Sequence, residues 1–148
     1  MEAKVRKADI QDLNFLILFT AEEAKEAESI KKIPSTLKKG IKAALEDHSK
    51  AIYWVIVDES DKSFGNVSAL KEWSDWNAGY YWWIQSMYIS PEHRGKGFMN
   101  LLVDEVKKEM KKENGLELRL YVHNSNNTAI RAYKKIGFTK TDYEIMKI

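Results

Sequence analysis

Four residues, Arg94-Gly95-Lys96-Gly97, have the types and the spacing needed to hold an anion. They lie between a predicted strand, Tyr80 to Ile89, and a predicted amphipathic helix, Phe98 to Glu113. Glycines at such a turn let backbone N–H groups approach an anion closely, and the helix N-terminus adds partial positive charge. Arg94 and Lys96 add formal charge at the same point. The turn is typical of a phosphate-binding site, although a basic surface turn can contain the same residues.

A tyrosine and an asparagine share one face of a short predicted helix, Asn126 to Ile136. Asn126 lies seven residues before Tyr133, two helical turns away, so both side chains project in about the same direction. The buried stripe expected on this helix is Ala129, Ala132, Tyr133 and Ile136. Two interpretations stay open: the phenol and the amide face a ligand, or Tyr133 hydrogen-bonds a neighbouring carbonyl and Asn126 caps its own helix.

The hydrophobic periodicity around these residues predicts an α+β fold. Spacing of three and four residues indicates helices, and short β-branched or aromatic runs indicate strands. The order β-α-α-β-β-β-α-β-α-β indicates a mixed, mostly antiparallel sheet flanked by helices, in one domain over residues 1–148. The predicted elements are Val5–Ala8, a helix from Asp9 towards Glu26, a helix from Pro34, strands Ile52–Val57, Gly65–Leu70 and Tyr80–Ile89 with a loop at Trp73–Gly79, helix Phe98–Glu113, strand Leu116–Val122, helix Asn126–Ile136 and strand Thr139–Ile148.

Composition excludes several classes of protein. The chain has 148 residues, 24 basic and 22 acidic side chains and a net charge of +2, so it lacks the basic excess typical of nucleic-acid binders. No apolar run approaches the roughly 20 residues that span a bilayer. Cysteine is absent, which excludes disulfides and thiolate metal sites. A cytoplasmic location without a membrane partner is the default expectation, because no signal-peptide core is evident.

Together, the two motifs resemble those of the GCN5-related N-acetyltransferases, the GNAT family. The strand ending Met87-Tyr88-Ile89, followed by the turn and helix, is similar to the family's motif A, R/Q-x-x-G-x-G/A, beginning at Arg94. The pattern Val122-x-x-x-Asn126-x-x-Ala129-x-x-x-Tyr133-x-x-x-Gly137-Phe138 is similar to motif B. The order of elements agrees over nearly the whole chain. Two motifs in the correct order are far more specific than one glycine turn.

One position departs from motif A. Its last small residue is replaced by Met99, in the first turn of the helix. A long side chain there is expected to crowd a pyrophosphate or to shift the turn. The backbone N–H groups, which do most of the phosphate binding, stay available.

The resemblance implies acetyl-coenzyme A as the acetyl donor. Its pyrophosphate is then expected over the backbone amides of Arg94, Gly95, Lys96, Gly97, Phe98 and Met99. The pantetheine arm is expected along the strand edge at Met87, Tyr88 and Ile89, paired with the backbone like an added strand. Asn126 is expected to hold the arm from the opposite side.

The resemblance also implies a role for Tyr133. An acceptor amine attacks the thioester directly in this family, and the phenol of Tyr133 is expected to face the sulfur and assist thiolate departure. The reference pKa is about 10 for a phenol and about 8.5 for a thiol, so full proton transfer is uphill by roughly 2 kcal/mol. A strong hydrogen bond to the developing thiolate is at least as good an interpretation as complete protonation.

The base that takes the acceptor's proton is not evident from the sequence. Some relatives carry a carboxylate on the strand just before the residues that contact the cofactor, where this chain has Gln85 and Ser86. The remaining candidates are Glu72, Asp75, Glu22 and His123. A water chain ordered by Gln85, Ser86 and Tyr88 is a further alternative.

The acceptor is expected to be a small-molecule or peptide amine. Seven aromatic residues lie between Trp73 and Tyr88, and they form either a sheet interior, which we favour for at least half of them, or an aromatic wall that attracts a cationic amine. Trp83, Gln85 and Glu72 are the residues expected nearest the acceptor. Negative charge around the entrance to the acceptor site is expected from Glu22, Glu23, Glu26, Glu28, Glu72 and Asp75.

Two functions from different classes compete. The first is an enzyme that acetylates a primary amine, and the second is a catalytically silent acyl-coenzyme A sensor or partner-binding module, suggested by the absence of carboxylates at Gln85 and Ser86. A nicotinamide dinucleotide domain is disfavoured, because no Gly-x-Gly-x-x-Gly follows a first strand. No metal site is expected. A homodimer is compatible with the resemblance, since related domains often pair through edge strands.

Overall fold

A computed structural model describes residues 1–148 as a five-stranded sheet with helices on both faces. The strands lie in the order β1-β2-β3-β4-β5, and every pair is antiparallel except β4 and β5, which are parallel. The predicted mixed, mostly antiparallel sheet is confirmed. The strands are β1 (Lys4–Lys7), β2 (Ile52–Val57), β3 (Ser63–Ser74), β4 (Gly79–Ile89) and β5 (Leu118–Leu120).

Four α-helices cover the sheet, and the sequence explains where they begin. Asp9 forms a capping box with Asp12 over a single 3-10 turn that leads into the first helix, and Pro34 occupies the first turn of the second. Gly137 ends the last helix with a positive φ of 118°. The helices are α1 (Leu13–Glu28), α2 (Pro34–Glu46), α3 (Phe98–Lys112) and α4 (Asn127–Ile136).

The sheet is buried on both faces, so β2 reads as an uninterrupted apolar run. Its alternate side chains enter two separate cores: Trp54 packs with the α3 side and Val55 with the α1–α2 side. The α3 core contains Val67, Trp82, Leu102 and Val106, with Tyr133 of α4 packed against it. The second core contains Leu16, Ile41 and Ala44.

Strand β4 is open along half of one edge. Only Trp82, Trp83 and Ile84 pair with β5, so the segment from Gln85 to Ile89 has β3 as its one neighbour. The register shift opposite Ser68 and Ala69 leaves Gln85 without a paired residue. Backbone groups of β4 are therefore available on the side where β5 diverges.

Residues 139–148 form no strand, so the predicted final strand is wrong. Their alternation of apolar and charged side chains has the period of a strand, yet no backbone hydrogen bond joins them to the rest of the chain. A strand needs a partner for its N–H and C=O groups, and a sequence pattern alone does not specify one. The side chains of Tyr143, Ile145 and Met146 are consequently exposed.

The predicted boundaries that differ most from the structure are those of β3 and β5. Strand β3 continues to Ser74, so most of the predicted Trp73–Gly79 loop reduces to a turn, because Trp73 and Tyr80 pair across the hairpin. The predicted Leu116–Val122 strand is regular only from Leu118 to Leu120, where β4 lies alongside. No helix has the length and apolar character needed to cross a bilayer.

Candidate active site

The turn between β4 and α3 presents five consecutive backbone N–H groups. Gly95 and Gly97 have φ values of 75° and 81°, which an L side chain rarely adopts, and open space surrounds both. Gly97 is the N-cap of α3 and no side chain caps the helix. The N–H groups from Gly95 to Met99 donate to no acceptor within the chain. They form an anion-binding concavity at a helix N-terminus.

The turn is held from below by an aromatic stack. The ring of His93 lies 4.1 Å from that of Phe64, and the Phe98 ring packs edge-on against Phe64 at 5.1 Å. The Ser90 hydroxyl and His93 Nδ1 are 2.9 Å apart. These contacts tie the glycine turn to β3, so its N–H groups are fixed in direction before any anion arrives.

Met99 lies in the first turn of α3, next to the glycine turn. Its side chain is partly buried and packs against the α3 core. The crowding expected from this departure from motif A stays a prediction, and the backbone N–H of Met99 is available to the concavity.

Two side chains, Glu23 and Arg94, hold outward backbone groups of β4, and Glu26 in turn holds Arg94. Glu23 Oε2 accepts a hydrogen bond of 2.6 Å from Met87 N–H. Arg94 Nε donates to the Ile89 carbonyl at 2.8 Å, and the Arg94 guanidinium also donates to both carboxylate oxygens of Glu26 at 2.9 Å. We call Glu23, Glu26 and Arg94 the β4 clasp. It occupies the open edge of β4, the kind of strand edge to which an extended ligand can add.

Glu23 differs electrostatically from the other acidic side chains. Burial raises the pKa of Glu23 to about 7; the hydrogen bond from Met87 opposes this rise and the negative charge of Glu26 adds to it. No lysine or arginine forms an ion pair with Glu23. A carboxyl with a pKa near neutrality exchanges protons readily at the pH at which most enzymes work.

The Tyr133 phenol stands on the α4 side of the site. Its ring packs edge-on against Phe138 at 6.0 Å, and its hydroxyl forms no hydrogen bond within the chain. Burial raises the pKa of Tyr133 to about 12, and the negative charge of Glu23 adds to the rise. Glu23 and Tyr133 are thus close enough to sense each other's charge, from opposite sides of the sheet edge.

Asn126 caps α4. Its side-chain oxygen accepts from Ala129 N–H at 3.2 Å, as in the helix-capping interpretation of the sequence. The side-chain NH₂ remains a free donor. Capping and ligand binding are therefore compatible for this residue.

Most of the residues that the sequence suggested as bases lie away from Tyr133 and the open edge of β4. Glu72 and Asp75 are exposed at the far end of the β3–β4 hairpin. The ring of His123 accepts from Ser125 N–H at 3.2 Å within an exposed turn. Glu22 lines a cleft of about 280 Å³ between α1 and the end of β4, beside Phe19 and Tyr88.

The water chain proposed from Gln85, Ser86 and Tyr88 also loses support. The Ser86 hydroxyl lies in the sheet interior, 2.7 Å from that of Ser68, and accepts from Asn66 Nδ2 at 3.2 Å. Tyr88 is buried and stacks on Phe19 at 5.5 Å. Only Gln85 remains exposed, at the bulge.

The aromatic residues divide between core and surface. Trp82 and Tyr88 are buried, Tyr81 and Trp83 are half-buried, and the other three are exposed. The Arg119 guanidinium lies 3.6 Å from the Tyr81 ring centroid, and Trp83 stacks on Tyr121 at 4.5 Å. The chain's own arginine thus covers part of the predicted aromatic wall. The Trp83 indole N–H is buried without an acceptor.

The sequence indicated Glu23 only as one of several acidic residues around the entrance to the acceptor site, and not as a residue that contacts β4. A signal for its position was present, because Leu16, Phe19 and Glu23 follow i, i+3, i+7 spacing. Leu16 and Phe19 are buried, so the same stripe carries one carboxylate towards the sheet. No group of three or more His, Cys, Asp or Glu residues is arranged to hold a metal ion.

Comparison with known proteins agrees with this geometry. The model of the acetyltransferase (GNAT) family matches residues 15–138. A solved structure described as a possible acetyltransferase from Clostridium difficile 630 is 34% identical, with a TM-score of 0.91, over 100% of this chain and 97% of that chain. A predicted acetyltransferase with acetyl-CoA from Clostridium acetobutylicum has the same fold, with a TM-score of 0.79 at 22% identity over 99% and 96% of the two chains.

Two curated proteins match over shorter segments. Spermidine N(1)-acetyltransferase of Thermoplasma acidophilum is 41% identical over 56 residues, 38% of this chain and 35% of that protein. Streptothricin acetyltransferase of Escherichia coli is 29% identical over 93 residues, 63% of this chain and 49% of that protein. The matched segments thus span less than half the length of each curated relative.

Proposed function

Because the chain belongs to the acetyltransferase (GNAT) family, we propose that residues 1–148 form one N-acetyltransferase domain. It moves an acetyl group from acetyl-coenzyme A to a primary amine by direct attack in a ternary complex. The observation that carries this proposal is the run of five unsatisfied backbone N–H groups from Gly95 to Met99, beside the open edge of β4 and the phenol of Tyr133. One site thus combines donors for a pyrophosphate, a strand edge for an extended arm and a group for a departing thiolate.

The residues present fit the donor. The N–H groups of the glycine turn and the charge of Lys96 suit the pyrophosphate, since Lys96 makes only a 3.4 Å contact to the Glu92 carbonyl and is exposed. Met87 N–H and the Ile89 carbonyl suit the amides of a pantetheine arm once the β4 clasp opens. The free NH₂ of Asn126 suits the same arm from the α4 side. Acetyl-coenzyme A supplies the acetyl group as a thioester.

Tyr133 acts as a hydrogen-bond donor more than as a full acid. With a pKa of about 12, against about 8.5 for a thiol, complete proton transfer is uphill by on the order of 5 kcal/mol. This is larger than the difference expected from reference values alone. A hydrogen bond from the phenol stabilises the developing thiolate without that transfer. Neutralising Glu23 removes one of the causes of the raised pKa and so strengthens the donor.

We propose a small cationic amine as the acceptor. The two curated relatives are named for spermidine and streptothricin, and both names describe acetyl transfer to a small molecule. Glu22 supplies negative charge in the cleft beside α1, and the unpartnered indole N–H of Trp83 supplies a donor. Gln85 at the bulge and Glu72 further along the hairpin remain proposed acceptor contacts.

An amine panel with detection of free thiol tests this function. Polyamines, amino sugars and peptides with free N-termini are each incubated with the protein and acetyl-coenzyme A, and thiol release is compared with an amine-free control. Release with at least one amine, accompanied by the acetylated amine in the mass spectrum, is the expected result. Binding of acetyl-coenzyme A without release for any amine would instead favour the silent acyl-coenzyme A sensor.

A further inference from the structure

We propose that Glu23 is the catalytic base of this site, held on Met87 N–H until the acyl donor takes that N–H and frees the carboxylate to accept the proton of the acceptor ammonium. The inference rests on the proposed N-acetyltransferase function and names the group that the sequence did not reveal. It also gives the β4 clasp a role as a contact that the donor must displace.

Position is the first step of the argument. Glu23 lies on α1, and its carboxylate reaches the outward N–H of Met87 at 2.6 Å. That N–H belongs to the open edge of β4, where β5 has diverged. A donor that pairs with this edge competes with Glu23 for the same hydrogen. The proposal places the reacting thioester at this N–H, so the displaced carboxylate lies beside it on the α1 side.

Charge is the second step. The titratable groups facing Glu23 are Glu26 on its own helix, Tyr53 on β2 and Tyr133 on α4. None of them is a cation. Glu26 is already held by Arg94 through both carboxylate oxygens, so it cannot serve as a second free base. Burial without a cation raises the pKa of Glu23 to about 7, near the value that suits a general base at neutral pH.

The clasp couples this base to donor binding. Arg94 spans the Ile89 carbonyl and Glu26, and the N–H groups of the neighbouring turn await an anion. A pyrophosphate at the turn attracts the guanidinium away from Glu26, and an arm along β4 takes the Ile89 carbonyl and Met87 N–H. Glu23 and Arg94 therefore leave the strand edge in the same event, and the base becomes available only when a donor is in place.

The proton balance follows from these positions. The ammonium of the acceptor gives one proton to the Glu23 carboxylate, and the freed nitrogen lone pair forms the bond to the thioester carbonyl carbon. The carbon–sulfur bond breaks, and its electron pair leaves on sulfur, which the Tyr133 phenol hydrogen-bonds. The nitrogen loses a second proton on becoming the amide, and the thiolate gains one proton on becoming the thiol, so these two changes cancel. Glu23 returns its proton to solvent, so the products are the amide, the free thiol and one proton.

The test compares Glu23→Gln with Glu46→Gln, a matched charge change at an exposed position of α2. The pH profile of kcat/KM for the amine, measured at saturating acetyl-coenzyme A, should show an acidic limb in the wild type and in Glu46→Gln. Glu23→Gln should lose that limb and about 10²-fold in rate at the plateau, within the range for loss of a general base. A variant that keeps both the limb and the rate overturns the assignment.

A second measurement does not depend on turnover. Glu23→Ala removes the competitor for Met87 N–H, so acetyl-coenzyme A should bind this variant as tightly as the wild type or a few-fold more tightly by calorimetry. A tenfold weaker affinity would make Glu23 a cofactor-holding residue and would overturn the proposal. A wild type that releases no thiol with any amine rejects the proposed function and the base with it, whereas an active wild type with an unaffected Glu23→Gln rejects only the base.

Discussion

Two carboxylates, one just before α1 and one in its second half, have opposite surroundings. Asp12 accepts two hydrogen bonds of 2.9 Å from the Arg6 guanidinium and one of 2.9 Å from Asp9 N–H. Glu23 accepts one hydrogen bond, from a backbone N–H, and pairs with no cation. Both lie on the sheet side of the same helical segment. Asp12 has a cation as its partner and Glu23 has none, and this difference decides their chemistry.

Their pKa values move in opposite directions. Burial by itself raises the pKa of Asp12, but the hydrogen bonds from Arg6 and Asp9 outweigh it and lower the value. Burial raises the pKa of Glu23 to about 7, because one N–H does not compensate it. Asp12 is therefore a permanent anion that stabilises the fold, while Glu23 is a carboxyl that can gain and lose a proton during a reaction. The comparison separates a structural acid from a candidate base.

Breaking the structural pair should have the largest effect. Asp12→Asn removes the charge partner of Arg6 and weakens the capping box, so we expect a loss of about 2–3 kcal/mol in the free energy of unfolding. The melting temperature should fall by roughly 5–10 °C. Asp61→Asn, which removes the exposed second partner of Arg6, is the matched control and should cost less than about 1 kcal/mol. Equal losses in the two variants would contradict the structural role of Asp12.

Removing the phenol that faces Glu23 should come next. Tyr133→Phe is expected to lower kcat ten-fold or more, because the departing thiolate loses its hydrogen-bond donor. Acetyl-coenzyme A affinity should change little, since the ring and its packing on Phe138 remain. Kinetics at saturating donor, with calorimetry for affinity, check this. An unchanged kcat, with chemistry shown to be rate-limiting, would remove Tyr133 from the mechanism.

The two carboxylates should also give opposite pH dependences of stability. Because its folded pKa lies below the ordinary value, Asp12 stabilises the protein above about pH 4, and this contribution is lost as the pH falls. Glu23 has a folded pKa above its ordinary 4.5, so its contribution is present below pH 4.5 and is lost as the pH rises to about 7. Glu23→Gln should therefore reduce, by about 1–2 kcal/mol, the stability that is lost between pH 4.5 and pH 7, allowing for partial exposure.

Thermal unfolding at pH 5 and pH 8 measures this effect. The wild type should lose more stability than Glu23→Gln between the two values, and Glu46→Gln should behave like the wild type. If Glu23→Gln and the wild type fall in parallel, the carboxyl is not buried in the manner described.

The smallest effect is expected at the exposed half of the clasp. The side chains of Arg94 and Glu26 are each 44% exposed, so their ion pair contributes at most about 1 kcal/mol. Glu26→Gln should leave the melting temperature nearly unchanged and should tighten acetyl-coenzyme A binding slightly, because Arg94 is released. Calorimetry at low and moderate salt measures both. A marked loss of affinity would show that Glu26 holds the donor instead of competing with it.

The fold was largely predictable because local patterns agreed with each other. Most elements were predictable from three local signals: the change of hydrophobic periodicity after α2, the glycine turn, and the apolar stripe of α4. The mixed sheet followed from the order of these elements. The predicted final strand was wrong, because alternating side chains indicate which residues share a face but not which strand they pair with. The boundaries of β3 and β5 also depended on their neighbours, since a strand extends only as far as another backbone satisfies it.

The candidate site was predictable to a different degree on its two sides. The conformation of the glycine turn and the helical face that carries Tyr133 were predictable, because short motifs encode a backbone conformation and a helical face. The proposed base was not predictable, because the sequence does not show whether a glutamate is solvated or lies against a buried N–H. Glu22 and Glu23 are adjacent in the chain, yet one faces a cleft beside α1 and the other faces Met87.

The sequence by itself determined where the chain turns, which faces are apolar and where N–H groups converge, because these properties depend on neighbours within a few residues. The tertiary structure decided which carboxylate has a cation and which has only an N–H. That choice depends on contacts between residues as distant as Glu23 and Met87, where burial and pairing set the free energy of charge. Local sequence motifs therefore predict the glycine turn and the face of Tyr133. The surroundings of Glu23 depend on tertiary packing.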